Sequence, residues 1–132
     1  MKEVLDTRFF VEHFYSDDPS IKARTQTRLR DLQREERGVL PTIVISEIVN
    51  LTCERKGKDD AELRYLSLVR SGLEVSDLSA EIAKRAGLLK CSYRKLPYGD
   101  SIISATALLL RAAVVSDDPH FNEVKALKVV WI

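Results

Sequence analysis

The chain has 132 residues and a mass of 15.0 kDa, with 45% hydrophobic and 31% charged residues. That length suits one compact domain, and with only five glycines and four prolines the composition excludes a disordered, collagenous or low-complexity chain. Lysine and arginine number 21 against 20 aspartates and glutamates, a formal net charge of +1, and such a sum neither demands nor excludes an anionic partner.

Val4-Leu5 is a short apolar start ending on Asp6-Thr7, after which Phe9, Phe10, His13 and Phe14 recur at helical spacing, so a strand followed by a helix is expected. Ser16-Asp17-Asp18-Pro19 breaks that helix and offers caps for a second, highly charged one that runs from Ile21 to about Arg37 and is stopped by Gly38. Val39 to Thr42 reads as a strand, Ile43 to Lys56 as a helix and Gly57 to Asp60 as a turn. Ala61 to Arg70 reads as a helix with Leu63, Leu66 and Val69 on one side. In the second half, Leu73 to Val75 is a strand, and a helix from Ala80 to about Tyr93 follows. Asp77 or Ser79 caps it, and Ile82, Ala83, Ala86 and Leu89 are spaced for burial. The break Leu96 to Asp100 opens the most apolar helix, Ser101 to Ala112. Ala113 to Ser116 is then a strand, Asp117 to Phe121 a loop and Val129 to Ile132 a terminal strand. Short apolar strands without alternation, separated by helices, predict an α/β fold: a three-layer α/β/α sandwich around a short, mostly parallel sheet, with residues 1–132 as a single domain.

Two cysteines, Cys53 and Cys91, are too few for a disulfide scaffold and fit reduced thiols in the cytoplasm. The N-terminus lacks the apolar stretch of a signal peptide. The longest apolar run, Ala105 to Val115, is interrupted by Arg111 and falls far short of the roughly 20 residues of a membrane span. A soluble, cytoplasmic protein without membrane contact is expected.

In open parallel sheets, ligands bind at the carboxyl ends of the strands. That edge receives Asp6 after the first strand and Asp117 and Asp118 after the fourth. Asp100, which opens the helix feeding the fourth strand, is expected to face it too. Glu47 sits within Ile43-Val44-Ile45-Ser46-Glu47-Ile48-Val49, and its helical neighbours Ile43, Val44 and Leu51 predict a side chain turned toward an apolar face. An ionised carboxylate in that setting is costly unless it is paired or bound to a cation. Each acid also has an ordinary structural use: Asp100 as a helix cap, Asp117-Asp118-Pro119 as a turn, Glu47 in a salt bridge. As a set they differ, because two carboxylates about 4 Å apart repel by roughly 4 kcal/mol at an effective dielectric near 20. Three or four of them need protons or a metal, and oxygen-only ligands suit Mg²⁺ or Mn²⁺.

Leu5-Asp6-Thr7, Ile45-Ser46-Glu47-Ile48, Tyr98-Gly99-Asp100-Ser101-Ile102-Ile103-Ser104-Ala105-Thr106-Ala107 and Val115-Ser116-Asp117-Asp118-Pro119-His120-Phe121 follow one another along essentially the whole chain. In order and spacing they resemble the PIN domain, and within it the small toxins of the VapC type found in prokaryotic toxin–antitoxin pairs. The resemblance implies a metal site of four catalytic acids: Asp6, Glu47, Asp100 and Asp118, the last two residues after Ser116. Thr7 and Ser116 match hydroxyl positions that support such a site by hydrogen bonding. Asp117 is the alternative fourth acid, and Arg8 stands where relatives often carry a small polar residue. The resemblance further implies a Mg²⁺- or Mn²⁺-dependent endoribonuclease that hydrolyses phosphodiesters of single-stranded or looped RNA. It would be a homodimer held inactive by a VapB-type antitoxin, with Phe10 and Phe14 available either for such contacts or for the core.

The segment Lys84 to Lys95 contains five basic residues and no acid. Lys90, Arg94 and Lys95, together with Arg8, are therefore expected RNA contacts, and Tyr93 and Tyr98 are available to stack on bases; a solvated helix face and partly buried packing are the plain alternatives. Two further readings compete. A metal-independent ribonuclease would use His13 and His120 as acid and base. A catalytically inactive PIN-like module would only bind RNA or another protein. An aspartate-nucleophile phosphatase is disfavoured, because the second acid such enzymes commonly place two residues after the first is Arg8 here.

Overall fold

The computed structural model describes residues 1–132. Its strands are β1 (Glu3–Leu5), β2 (Gly38–Pro41), β3 (Glu74–Ser76), β4 (Ala113–Val115) and β5 (Val129–Val130). Its helices are α1 (Thr7–Tyr15), α2 (Pro19–Arg34), α3 (Thr42–Lys56), α4 (Lys58–Val69), α5 (Ala80–Ser92) and α6 (Tyr98–Leu110), with a 3₁₀ turn at Pro119–Glu123. The strands form one sheet in the order β3-β2-β1-β4-β5, and every pairing is parallel. The chain moves outward from β1 to β3, then crosses to the other side of β1 to lay down β4. Right-handed crossovers therefore set α1 to α4 on one face and α5 and α6 on the other, which gives the expected three layers.

The central strands are bare apolar runs because both of their faces are covered. Val4, Leu5, Val39, Leu40, Val114 and Val115 are fully buried, and Phe9, Phe10, Ile48, Leu68, Ile103 and Phe121 pack around them. Phe10 thus belongs to the core, and Phe14 is half-buried beneath the guanidinium of Arg64, 3.9 Å from its ring centroid. No helix is long and apolar enough to cross a membrane.

Several boundaries differ from those the sequence predicts. α2 ends at Arg34 rather than Arg37, because Glu36, with φ of 53°, takes the left-handed conformation that turns the chain. Gly38 is not a helix stop but the first residue of β2, and its lack of a side chain serves packing: a Cβ there would collide with Leu73 Cδ2 and lie 3.2 Å from Leu32 Cβ. Gly57, with φ of 94°, makes the α3–α4 turn alone, so α4 starts three residues early, at Lys58. The buried face of α4 is Ala61 and Leu68; Leu63, Leu66 and Val69 are exposed, as is Ala83 of α5. Ser79, not Asp77, caps α5. α6 begins at Tyr98, where the Ser101 amide donates to the Pro97 carbonyl, and this places Asp100 inside the first turn. β5 is only Val129–Val130.

Filling the space at residue 38 tests the packing role of that glycine. Gly38→Ala is expected to lower stability by about 1–3 kcal/mol through overpacking against Leu32 and Leu73, read as a lower urea midpoint at unchanged m-value.

Candidate metal centre

β1 and β4 end flush, with Leu5 opposite Val115, so the next residues, Asp6 and Ser116, meet where the strand order reverses. Asp6 is 3% exposed. Its Oδ2 accepts the Arg8 backbone N–H at 3.3 Å, which makes Asp6 the N-cap of α1, and accepts the Ser116 hydroxyl at 2.7 Å. The same Ser116 oxygen accepts the Asp118 N–H at 3.0 Å, so one hydroxyl ties the ends of two strands together. Burial raises the Asp6 carboxyl above its ordinary pKa, while the Ser116 hydrogen bond opposes the shift.

Asp118 caps the 3₁₀ turn, its Oδ1 accepting the His120 N–H at 2.9 Å. The turn folds the His120 ring back, leaving Nδ1 2.9 Å from Asp118 Oδ1 and 3.4 Å from Asp100 Oδ2. The Asp100 carboxyl is pushed up to about 7, first by burial and then by the charges of Asp6 and Asp118, with a smaller contribution from Glu47 and an opposing one from His120. Glu47, in the second turn of α3, accepts the Thr7 hydroxyl at 3.1 Å. The α6 backbone closes on its other side, where a Cβ at Gly99 would come within 3.2 Å of Glu47 Oε1. Burial raises Glu47 too; Thr7 opposes this and Asp6 adds to it. The charges of Asp6, Glu47 and Asp118 all act on Asp100, while the side chains whose ligand atoms lie within 4.8 Å of one another are Asp100, Asp118 and His120, without Asp6 or Glu47.

Some expectations need correction. Glu47 does not face the core: Val44 and Ile48 carry the buried side of α3, and Glu47 opens onto a groove of roughly 360 Å³ shared with Thr7, Arg8, Asn50 and Arg55. Asp100 caps nothing, since α6 starts without a side-chain cap. Asp117 points away from its neighbour and pairs with Arg8, Nε to Oδ1 at 3.0 Å and Nη2 to Oδ2 at 3.3 Å, while Glu12 takes the same Nη2 at 2.9 Å. Arg8 is thus occupied by two carboxylates, and of the adjacent pair it is Asp118 that joins the cluster. Lys90 lies in the last turn of α5 and Arg94 and Lys95 in the segment that follows it, with Lys90 Nζ donating to the Arg94 carbonyl at 2.9 Å. His13 is committed elsewhere: Nδ1 lies 3.1 Å from Thr25 Oγ1, its ring stacks on Phe9, and burial pushes its pKa down. The two-histidine scheme therefore lacks one of its members.

Two neighbours of the acids escape a sequence reading that looks for carboxylates. One is His120 at the cluster, signalled by Asp118-Pro119-His120, where a capped turn returns the second residue over the cap. The other is Gly99, whose bare Cα lets α6 approach Glu47. The donor set fits a divalent cation. Asp100 Oδ2 and His120 Nδ1 are enclosed yet lack an aligned hydrogen-bond partner, and Asp100, Asp118 and His120 present ligand atoms within 4.8 Å of one another. An enclosed carboxylate oxygen among like charges is relieved by a cation, and mainly carboxylate donors favour a hard one.

Fold and site together define an α/β domain with converging carboxylates at the switch point of a parallel sheet. The model of the family described as PIN domain matches residues 4–127, and the chain belongs to that family. No curated protein matches it by sequence. Among solved structures it is similar to a chain of VapBC2 from Rickettsia felis bound to a promoter DNA fragment (20% identity, TM-score 0.79, covering 100% of this chain and 99% of that one). It is similar also to a chain of DNA-bound VapBC from Salmonella typhimurium (18%, 0.76, 99% and 98%). A third is VapC20 of Mycobacterium tuberculosis, a sarcin-ricin loop cleaving toxin (15%, 0.71, 92% and 94%).

The raised acids make a linkage prediction. A carboxyl whose pKa is higher in the folded than in the unfolded chain favours folding at low pH, and that contribution is lost as pH rises through the folded value. For Asp100 the window runs from about 4 to about 7. Without metal, the melting temperature is expected to fall across this window, and Asp100→Asn is expected to flatten the fall and raise the melting temperature near about pH 8. Mn²⁺ should raise the melting temperature of the wild type and do so much less in the variant.

Proposed function

We propose that the chain is a metal-dependent endoribonuclease of the VapC toxin type, in which Asp6, Glu47, Asp100 and Asp118 hold one or two Mg²⁺ or Mn²⁺ ions. The observation that carries this reading is the enclosed Asp100 oxygen without an aligned donor beside three further carboxylates at the sheet's switch point. Membership of the PIN family and the likeness to chains of toxin–antitoxin complexes, among them an RNA-loop-cleaving toxin, support the substrate class and a VapB-type antitoxin as partner. A homodimer acting in the cytoplasm completes the reading.

Held by Asp6, Glu47, Asp100 and Asp118, a divalent ion would acidify a bound water and offset charge on the leaving oxygen of a phosphodiester. The chain's residues hold and orient. Ser116 fixes Asp6 and, through the Asp118 amide, the loop after β4; Thr7 fixes Glu47; His120 sits against Asp118 and Asp100. Arg8 keeps Asp117 on the rim, and Lys90, Arg94 and Lys95 offer positive charge to an RNA backbone.

The test is cleavage of a mixed RNA pool with Mg²⁺ or Mn²⁺. The wild type is expected to cut and a chelator to abolish cutting. Asp100→Asn should lower the rate by at least about a hundredfold, since even residues that only support metal ligands are worth about 10–100-fold. Full activity in chelator, lost in His120→Ala, would overturn the metal role. A wild type as inert as the variant would leave only a binding module.

A further inference from the structure

Tyr98 is the first residue of α6, two before Asp100, and is 66% exposed. Its backbone is held firmly. The Tyr98 carbonyl accepts the Ser101 hydroxyl at 2.7 Å, and the next residue, Gly99, lies against Glu47. Its ring is left to solvent except where Lys90 Nζ stands 5.4 Å from the centroid. Lys90 is kept there by its hydrogen bond to the Arg94 carbonyl, which leaves its charge without a carboxylate partner. An anchored, largely exposed aromatic ring with a cation 5.4 Å from its centroid follows a run of basic residues without acids and stands two residues before a proposed metal ligand.

We propose that Tyr98 is a stacking platform for an unpaired RNA base beside the phosphate to be cut, with Lys90 supplying a phosphate contact and a cation against the ring. The proposal rests on the nuclease reading for its substrate class and adds to it a residue that selects single-stranded over paired RNA. Charge decides between occupants: an aromatic ring bordered by unpaired cations is complementary to a polyanion whose bases carry π-faces. Continuity decides position, because the first turn of α6 carries both the ring and Asp100.

The test is binding of a fluorescently labelled, mixed-sequence single-stranded RNA, followed by anisotropy in chelator so that cleavage is suppressed. Tyr98→Ala is expected to weaken binding on the order of tenfold, the loss of one stacked base, while Tyr98→Phe stays within about twofold of wild type because the ring face is kept. One abasic nucleotide moved along the RNA should cost the wild type a similar factor at a single position and cost Tyr98→Ala nothing there. Lys90→Ala should reduce the slope of log affinity against log salt by about one. Equal affinity of wild type and Tyr98→Ala, or a Tyr98→Phe as weak as Tyr98→Ala, would overturn the proposal. So would a Tyr98→Ala that changes only the oligomeric state, which would mark the ring as a protein contact. Tyr98-dependent binding without any cleavage in Mg²⁺ or Mn²⁺ would refute the nuclease reading and keep the platform. Normal cleavage by Tyr98→Ala with unchanged affinity would do the reverse.

Discussion

A carboxylate enclosed at the end of a central strand constrains everything around it. Asp6 has lost nearly all contact with water, and an uncompensated charge in such a place costs several kcal/mol. The compensation comes from the amides that open α1, where the helix dipole also favours an anion, and from the Ser116 hydroxyl. Each of these needs a piece of the fold. The amides require α1 to start at Thr7, directly after the strand, and the hydroxyl requires β4 to end flush with β1. Because the Ser116 oxygen also takes the Asp118 amide, the loop after β4 inherits its position from Asp6.

The surrounding charges are sorted rather than merely crowded. Asp117 and Asp118 are adjacent in sequence but diverge, one to Arg8 on the rim and the other to the cluster. A half-exposed ion pair of this kind is worth no more than about 1 kcal/mol, so its main effect is to keep a fifth carboxylate from adding to the repulsion at Asp100. The near-zero net charge conceals the same sorting. With four acids set apart in the site, 16 acids face 21 bases, and the rest of the chain is basic by five charges. Repulsion within such a cluster is what a bound cation would relieve.

Much of the fold was legible because fully covered strands leave a simple trace, and Val39-Leu40 or Val114-Val115 cannot be mistaken for a surface. What periodicity could not supply was depth. Leu63, Leu66 and Val69 form a regular stripe on α4, yet Ala61 and Leu68 are the residues that meet the rest of the protein, a choice set by how α4 packs on α3. Helix starts were misplaced where glycine or proline acts through a neighbour, as at Gly57 and Pro97. The acids were legible as a set because strand ends converge on one edge. The setting of Glu47 was not, since an apolar neighbourhood in sequence does not reveal that the groove passes between α1 and α3. His120 and Gly99 contribute through position and through the absence of a side chain, which a search for carboxylates does not weigh.

The pairing of Asp6 with Ser116 spans 110 residues, and β4, which delivers it, is laid beside β1 only after β2 and β3 have been placed on the other side. Folding that depends on such distant contacts is slow to complete, and a chain leaving the ribosome gains residues at about 5–20 per second. Until β4 and the turn behind it are available, Asp6 lacks the Ser116 hydroxyl and Asp118 is missing, so a growing or truncated chain holds an incomplete set of acids. Strand order thus makes the full set of four acids depend on one of the last parts of the chain to be synthesised.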